Sequence, residues 1–339
     1  MAAGSLHLIA GAPATGKTSV ALSLAATLSR GDLWPDGSPA RAARAVVWSG
    51  EDHTTSTLLP RLIAQGADLA KISIVGNTLE DGRARPFDPS IDLQDLKRQL
   101  CTLDNVGLLV IDPIISVVTG DSHKNAEVRR GLQPLVELAA EVGCAVLGVT
   151  HFSKGTGGFD PVERITGSLA FGALARIVMV AARSSQDDDV RHDRLLVRAK
   201  SNIGPDGDGF RYAVEGLSLP GDVPIETSCV LWGDPLEGPA SAHLAGHGSS
   251  SAPVAGDGGR SAWLRQVLSA GPRPAAEVIS RAAAELGCPK GSIQRTRKSM
   301  GACTEKVGFS SGSENYWYLP GQEAQLKALI AEDPDQPEP

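Results

Sequence analysis

The stretch Gly11-Ala-Pro-Ala-Thr-Gly-Lys-Thr18 matches the pattern G-x-x-x-x-G-K-S/T at every fixed position. The apolar segment before it, residues 5–10, predicts a short buried strand, and residues 19–28 after it predict a helix. Glycines let backbone N–H groups point into such a loop, and the helix N-terminus adds its positive end, so the loop binds phosphate groups. The pattern therefore indicates a nucleotide site in which Lys17 reaches the β- and γ-phosphates and Thr18 binds Mg²⁺. The complete match disfavours the alternative, a plain glycine-rich turn before a helix.

The composition restricts the class of protein. The 339 residues leave room for about two domains, and 42% hydrophobic with 21% charged residues is ordinary for a globular chain. A net charge of −7 means that binding to nucleic acid needs a local basic patch. The five cysteines lack CxxC spacing, which favours reduced thiols over a zinc site or disulfides. The sequence has neither a leader nor the roughly 18 apolar residues of a membrane span, so we expect a cytoplasmic protein with no membrane partner.

Three apolar runs further along the chain predict buried strands that end beside Glu51, Asp112 and His151. In open α/β sheets, ligands bind at the carboxyl ends of the strands. Asp112 has the form of a Walker B carboxylate, which binds Mg²⁺ directly or through water. Glu51 is either a general base or the N-cap of the next helix, a role that Asp52 fits equally well. His151 is either a sensor of the γ-phosphate or a histidine that is hydrogen-bonded in a turn.

The order of the predicted elements indicates the fold class. Strands alternate with helices in the first half of the chain, and antiparallel strands follow at residues 176–182 and 194–200. A last strand at residues 210–214 closes the sheet. This order predicts an α/β fold whose mostly parallel sheet is extended by antiparallel strands. Residues 1–232 form this domain, and the Gly, Ser, Ala and Pro of residues 233–260 predict a flexible linker.

Residues 261–320 predict a second, small domain. Three helical patterns precede a two-stranded hairpin, which is the order of a winged helix. Between residues 263 and 320 the sequence has eight Lys and Arg against four Asp and Glu. The third helix carries Arg295, Arg297 and Lys298, which indicates a DNA-binding surface. The alternative is a solvated helix face in a domain that binds protein, and residues 321–339 follow as an acidic tail.

With these elements in order, residues 5–215 resemble the RecA-like P-loop ATPases, most closely the RepA-type hexameric replicative helicases of plasmids and phages, AAA-family ATPases of mobile elements. The resemblance rests on Gly11–Thr18, Trp48-Ser-Gly-Glu-Asp52, Leu109-Val-Ile-Asp-Pro113, Thr150-His-Phe-Ser-Lys154, Gly167-Ser168, Ala175-Arg176 and Lys200-Ser-Asn202. It implies a DNA helicase that uses ATP and Mg²⁺ and forms a ring with shared active sites. The winged-helix-like segment goes beyond the minimal RepA pattern and suggests binding of double-stranded DNA or of a partner.

The resemblance also implies a role for each matching residue. Glu51 would be the catalytic base and His151 the γ-phosphate sensor, and Thr18 and Asp112 would bind the metal. The nucleotide would contact Gly11, Ala12, Pro13, Ala14, Thr15, Gly16, Lys17, Thr18 and Asp112. Arg176 would be the arginine finger that reaches into the neighbouring subunit.

Lys200 is a nearby second candidate for that finger. Two loops, residues 119–125 and 155–160, would face a central channel for single-stranded DNA, where Lys124 and Lys154 are the cationic contacts. They hold few aromatic residues, although such channels bind DNA by stacking and charge.

Three functions compete on these residues. The first is a ring-shaped motor that translocates on DNA or unwinds it. The second is a regulatory ATPase that does not translocate, binds a DNA site through the small domain and changes its oligomeric state with the nucleotide. The third is a small-molecule phosphotransferase. It is the least favoured, because no acceptor-binding lid follows the loop in the sequence and because His151, Arg176 and Lys200 fit a ring ATPase better.

Overall fold

The computed structural model describes residues 1–80, 82–122, 124–152, 169–184, 192–244, 257–288, 290–307 and 314–331. The chain divides into two compact units, Met1–His247 and Gly248–Pro339. No helix within the described ranges combines the length and the apolar character needed to cross a membrane.

A nine-stranded sheet forms the centre of the larger unit in its described part, in the order β11-β10-β9-β8-β1-β7-β6-β2-β3. The six strands from β8 to β3 are parallel, and β9, β10 and β11 are antiparallel additions at one side. A separate hairpin joins β4 to β5. The strands are β1 Ser5–Gly11, β2 Arg44–Ser49, β3 Ile72–Val75, β4 Asn77–Glu80, β5 Arg83–Pro86, β6 Val106–Asp112, β7 Ala145–His151, β8 Ile177–Arg183, β9 Arg194–Ser201, β10 Gly209–Leu219 and β11 Ile225–Leu236.

Helices cover both faces of this sheet, because its central strands are apolar on both sides. On one face Leu8 and Ile111 pack in a cluster with α4, and on the other face Ile9 and Val110 pack in a cluster with α1. The helices are α1 Lys17–Arg30, α2 Leu59–Ala64, α3 Leu93–Leu100, α4 Asn125–Val142, α5 Leu169–Leu174 and α6 Ala240–Leu244. The expected α/β fold with a mostly parallel sheet and antiparallel additions is confirmed.

The last strands of the sheet and the linker differ from the sequence prediction. The strand at 210–214 does not close the sheet, because β10 continues to Leu219 and pairs with β11, which ends at Leu236. The predicted linker, residues 233–260, is therefore ordered at its start, where Leu236 and Leu244 are buried. Its last four residues belong to the first helix of the smaller unit. The sequence pattern does not predict β11, because this strand pairs with β10 at the side of the sheet, is partly exposed and therefore contains many polar residues.

The smaller unit contains, among its described residues, four helices and a three-stranded sheet of order β12-β14-β13. The elements are α7 Asp257–Ser269, β12 Arg273–Pro274, α8 Ala275–Leu286, α9 Lys290–Ser299, β13 Cys303–Val307, β14 Glu314–Tyr318 and α10 Glu323–Ala331. Leu264, Val278, Ile293 and Trp317 form its core. The last helix replaces the first part of the expected tail, residues 321–339, because Leu326 is buried.

Candidate functional site

Two glycines, Gly11 and Gly16, determine the backbone path of the loop between β1 and α1. A Cβ atom on Gly11 would lie 2.2 Å from the carbonyl oxygen of Ala181 in the neighbouring strand β8, so no larger residue fits there. Gly16 has φ +87°, a left-handed conformation that favours glycine, and it precedes the first residue of α1. The loop therefore runs from the carboxyl end of a central strand onto a helix N-terminus, as the sequence motif requires.

Lys17 lies inside this loop and is only 5% exposed. Its Nζ donates to the carbonyl oxygen of Ala12 at 2.9 Å and lies 3.2 Å from Nδ1 of His151. Burial lowers the pKa of Lys17 to about 8, against the opposite charges of Asp112 and Glu51. Among the described residues no carboxylate contacts the ammonium group directly, so an anionic ligand in the loop would meet a charge without an ion-pair partner there.

Thr18 and Asp112 face each other at the start of α1 and the end of β6. The Thr18 hydroxyl donates to Oδ2 of Asp112 at 2.6 Å. Burial raises the pKa of Asp112 to about 6, and the negative charges of Glu51 and Asp52 also raise it, against the hydrogen bond from Thr18. A hydroxyl and a carboxylate with further carboxylates nearby are hard oxygen donors, which suit Mg²⁺. The described residues hold no group of three or more His, Cys, Asp and Glu with metal-binding geometry, so phosphate and water would have to complete the coordination.

Glu51 and Asp52 follow β2, which pairs with β6 so that Ser49 lies opposite Asp112. The turn that begins at Thr54 is preceded by His53 as its N-cap residue, without a side-chain hydrogen bond. The N-cap interpretation is therefore wrong for both carboxylates. Asp52 accepts a hydrogen bond from Arg61 at 2.7 Å, whereas the carboxylate of Glu51 is exposed and has no hydrogen-bond partner among the described residues.

His151 ends β7, next to Gly11 in the register of the sheet. Its Nδ1 faces the Lys17 ammonium, which can only donate, so the imidazole proton must be on Nε2. Burial and the charge of Lys17 lower the pKa of His151. The structure thus brings His151 into contact with the Lys17 side chain of the loop.

Arg176 and Lys200 lie at the edge formed by the amino ends of the parallel strands, whereas the loop lies at the edge formed by their carboxyl ends. The backbone N–H of Arg176 donates to the carbonyl oxygen of Leu6 at 2.8 Å, five residues before Gly11, which corresponds to about 16 Å along a strand. Lys200 pairs with Val178 at the same edge, and its Nζ donates to the carbonyl oxygens of two residues in or after α5, Gly172 and Ala175. Arg176 is exposed.

The predicted DNA contacts fall into three groups. Lys154 and the loop 155–160 lie outside the described residues. Lys124 is engaged by carboxylates, at 3.1 Å from Glu127 and 4.0 Å from Asp121. The Lys124 side chain is 65% exposed, so these ion pairs leave it accessible and the channel contact stays a prediction.

On α9 the three basic residues are not equivalent. Arg295 and Lys298 are exposed on one helix face. Arg297 lies instead over the ring of Trp317, 5.5 Å from its centre, and donates to the carbonyl oxygen of Ala302 at 3.0 Å. Arg297 thus holds the end of α9 against the small sheet, and its predicted contact with DNA stays a prediction.

One contact of the loop escaped the sequence patterns. The hydroxyl of Tyr212, on β10, donates to the carbonyl oxygen of Thr15 at 2.6 Å. The two residues are 197 positions apart, and no spacing rule connects them. The local signal is weak, a tyrosine between Arg211 and Ala213 in a predicted strand.

Residues 1–157 match the family model described as an AAA domain. No curated protein matches the sequence. Among solved structures, a KaiC-like protein from the hyperthermophilic archaeon Pyrococcus horikoshii OT3 is similar with a TM-score of 0.44 and 19% identity, over 62% of this chain and 86% of that chain. The match to an AAA domain agrees with the phosphate-binding loop expected from the sequence in the larger unit.

Proposed function

We propose that the chain binds Mg²⁺–ATP in the loop 11–18 and hydrolyses it. The observation that carries this proposal is the convergence of the Lys17 ammonium, the Thr18 hydroxyl and the Asp112 carboxylate around one loop. When bound between Thr18 and Asp112, Mg²⁺ would neutralise negative charge on the phosphate oxygens. The unneutralised Lys17 ammonium would bind the β- and γ-phosphates, where charge develops during the reaction.

Glu51 is the base in this proposal. It accepts a proton from a water molecule whose oxygen bonds to the γ-phosphorus, while the bond from that phosphorus to the β-γ bridging oxygen breaks and ADP leaves with the electron pair. Glu51 is favoured over Asp52, because Asp52 is bonded to Arg61. Phosphate binding would draw Lys17 away from His151, so His151 would lose a contact when ATP arrives and could report the γ-phosphate.

A second copy of the chain would complete the active site. Arg176 and Lys200 lie at the edge opposite their own loop, so they can serve only the loop of a neighbour. Arg176 is the better finger, because it is exposed and Lys200 is already bound to two carbonyl groups. An interface in which one edge meets the other is heterologous, and it forms a ring when the rotation between copies closes. The resemblance to RepA-type helicases favours a closed hexamer.

DNA is the proposed partner of this ATPase. The smaller unit has the order helix, strand, helix, helix, strand, strand, which is that of a winged helix, and Arg295 and Lys298 line a groove of about 680 Å³ together with Asn315. These features support binding of double-stranded DNA, and the resemblance supports a replicative helicase. The pairing of Lys124 with Glu127 favours the second candidate, a regulatory ATPase that does not translocate.

One experiment tests the proposal and separates its two forms. ATP hydrolysis by the full chain is measured with Mg²⁺, with and without single-stranded DNA, beside strand displacement on a forked duplex. Lys17→Ala is the inactive control, and Lys71→Ala, a surface lysine paired with Asp68, is the matched active control. Hydrolysis that DNA stimulates, with displacement, supports the helicase. Hydrolysis that DNA leaves unchanged, without displacement, supports the regulatory ATPase, and hydrolysis that persists in Lys17→Ala contradicts both.

A further inference from the structure

The carbonyl groups of the loop need partners on its outer side. When the N–H groups of a phosphate loop point inward, their carbonyl oxygens point outward and must be satisfied elsewhere. The Ala12 oxygen is satisfied within the loop itself, by the Thr15 hydroxyl and the Lys17 ammonium. The Thr15 oxygen accepts from the hydroxyl of Tyr212. The loop is thus tied at this point to strand β10, which lies outside the parallel part of the sheet.

The bonded oxygen belongs to a peptide unit of special importance. The carbonyl of Thr15 and the N–H of Gly16 are parts of the same planar trans peptide, so they point in opposite directions. A hydrogen bond that holds the Thr15 oxygen outward therefore holds the Gly16 N–H inward, toward the phosphates. Gly16 has positive φ, and so does Ala14 two residues earlier, so this peptide has no regular helix or strand to orient it.

Tyr212 is itself rigidly held. It is fully buried, its ring lies 5.9 Å from that of Trp232, and Trp232 donates through Nε1 to the Ser23 hydroxyl on α1 at 3.2 Å. Burial raises the pKa of Tyr212 well above its usual value, so its hydroxyl remains a donor at every pH of interest. Val214, on the same face of β10, lies beside Gly16 and limits the space there, since a Cβ atom added to Gly16 would lie 2.8 Å from its Cγ2.

We propose that Tyr212 is a positioning residue of the nucleotide site, which acts by orienting the Gly16 N–H toward the phosphates of the ligand. This inference rests on the proposed function, because it takes a phosphorylated nucleotide as the ligand of the loop. It makes the antiparallel strand β10 a working part of the site and not only an extension of the sheet.

The test is Tyr212→Phe in the full chain, which removes one oxygen and keeps the ring. The dissociation constant for ADP with Mg²⁺ is measured by calorimetry, and exchange of the Gly16 amide hydrogen is followed by NMR. We expect the dissociation constant to rise about tenfold, because a charge-free hydrogen bond to a buried carbonyl is lost. We also expect the Gly16 amide to exchange faster.

Ser29→Ala is the matched control, because Ser29 is a fully buried residue far along α1 whose hydroxyl bonds Ala26. It should lower the melting temperature and leave ADP affinity unchanged. If Tyr212→Phe lowers the melting temperature in the same way and binds ADP as the wild type does, Tyr212 is merely structural and the inference is wrong. If the wild type itself binds neither ADP nor ATP, the proposed function fails instead.

If Tyr212→Phe does not fold, the same measurement on Val214→Ala decides. A rise in the dissociation constant supports the role of β10, and an unchanged value overturns it.

Discussion

The charged side chains at the carboxyl and amino edges of the large sheet differ in their burial and in their partners. At the carboxyl edge, Lys17 and Asp112 are almost fully buried and bonded to neighbours within the chain. At the amino edge, Arg176 is exposed, and Lys200 donates to two backbone carbonyl groups. Burying a charge costs free energy unless something compensates it, so the first arrangement is expected of a site built to receive a charged ligand. The second is expected of a surface that donates its charge to another molecule.

The largest effect should come from the amino edge. In related phosphoryl transfer an arginine finger contributes about 10³–10⁵ in rate. We therefore expect Arg176→Ala to lower kcat by at least about 10³-fold, although the residue is far from its own loop. Arg183→Ala is the control, because Arg183 is exposed and paired with Asp193 at the end of the same strand. Equal rates for Arg176→Ala and the wild type would remove the distinction between the edges.

The second largest effect is expected at the carboxyl edge, for Glu51. Glu51→Gln removes the proposed base but keeps its size, so kcat should fall by about 10²–10⁴ while ATP still binds. Steady-state rates and nucleotide titrations separate the two quantities. The paired variant Asp52→Asn should lose the contact with Arg61 and retain most of its rate. Wild-type activity in Glu51→Gln together with loss in Asp52→Asn would transfer the base to Asp52.

The pH profile tests whether the buried charges are the ones that matter. Asp112 has a pKa of about 6, so below pH 6 it gains a proton and loses the charge that holds Mg²⁺. Lys17 has a pKa of about 8, so above pH 8 it loses the charge that binds phosphate. The profile of kcat/KM should therefore be bell-shaped, falling by about tenfold per pH unit outside these limits. Lys17→Arg should abolish the alkaline limb, whereas a flat profile from pH 5 to 9 would contradict this assignment.

The smallest effect concerns the other unit. Arg297→Ala should lower the free energy of unfolding of the smaller unit by about 1–2 kcal/mol, because it removes a cation–π contact and a hydrogen bond. Lys298→Ala should leave it unchanged and weaken DNA binding. Urea titration followed by tryptophan fluorescence measures the first quantity, and fluorescence anisotropy of a labelled duplex measures the second. The reverse pattern would make Arg297, and not Lys298, the DNA contact.

Local patterns predicted the chemistry that lies close together in the sequence. The motif identified Lys17 and Thr18, and an apolar run ending in an acid identified Asp112. The choice between Glu51 and Asp52 was beyond spacing rules, because it depends on where Arg61 comes to lie in the fold. Sequence order also predicted the parallel core and the antiparallel additions.

Contacts between residues that are far apart in the sequence explain the features that sequence patterns did not predict. Tyr212 reaches the loop from a distant strand, and its partner is a backbone oxygen that no side-chain pattern reveals. Arg297 reads as a surface cation until Trp317 is seen beneath it. The strand β11 was missed because its polar residues suit a partly exposed ribbon better than an alternating core strand.

Mixing two inactive variants tests most directly whether one edge completes the other. Lys17→Ala subunits keep Arg176, and Arg176→Ala subunits keep the loop, so a mixed head-to-tail ring restores an intact pair at about a quarter of its interfaces. ATP hydrolysis of the mixture is compared with that of each variant alone at the same total concentration. We expect a clear recovery of activity in the mixture. Activity no higher than the sum of the separate variants would contradict a site shared between two copies of the chain.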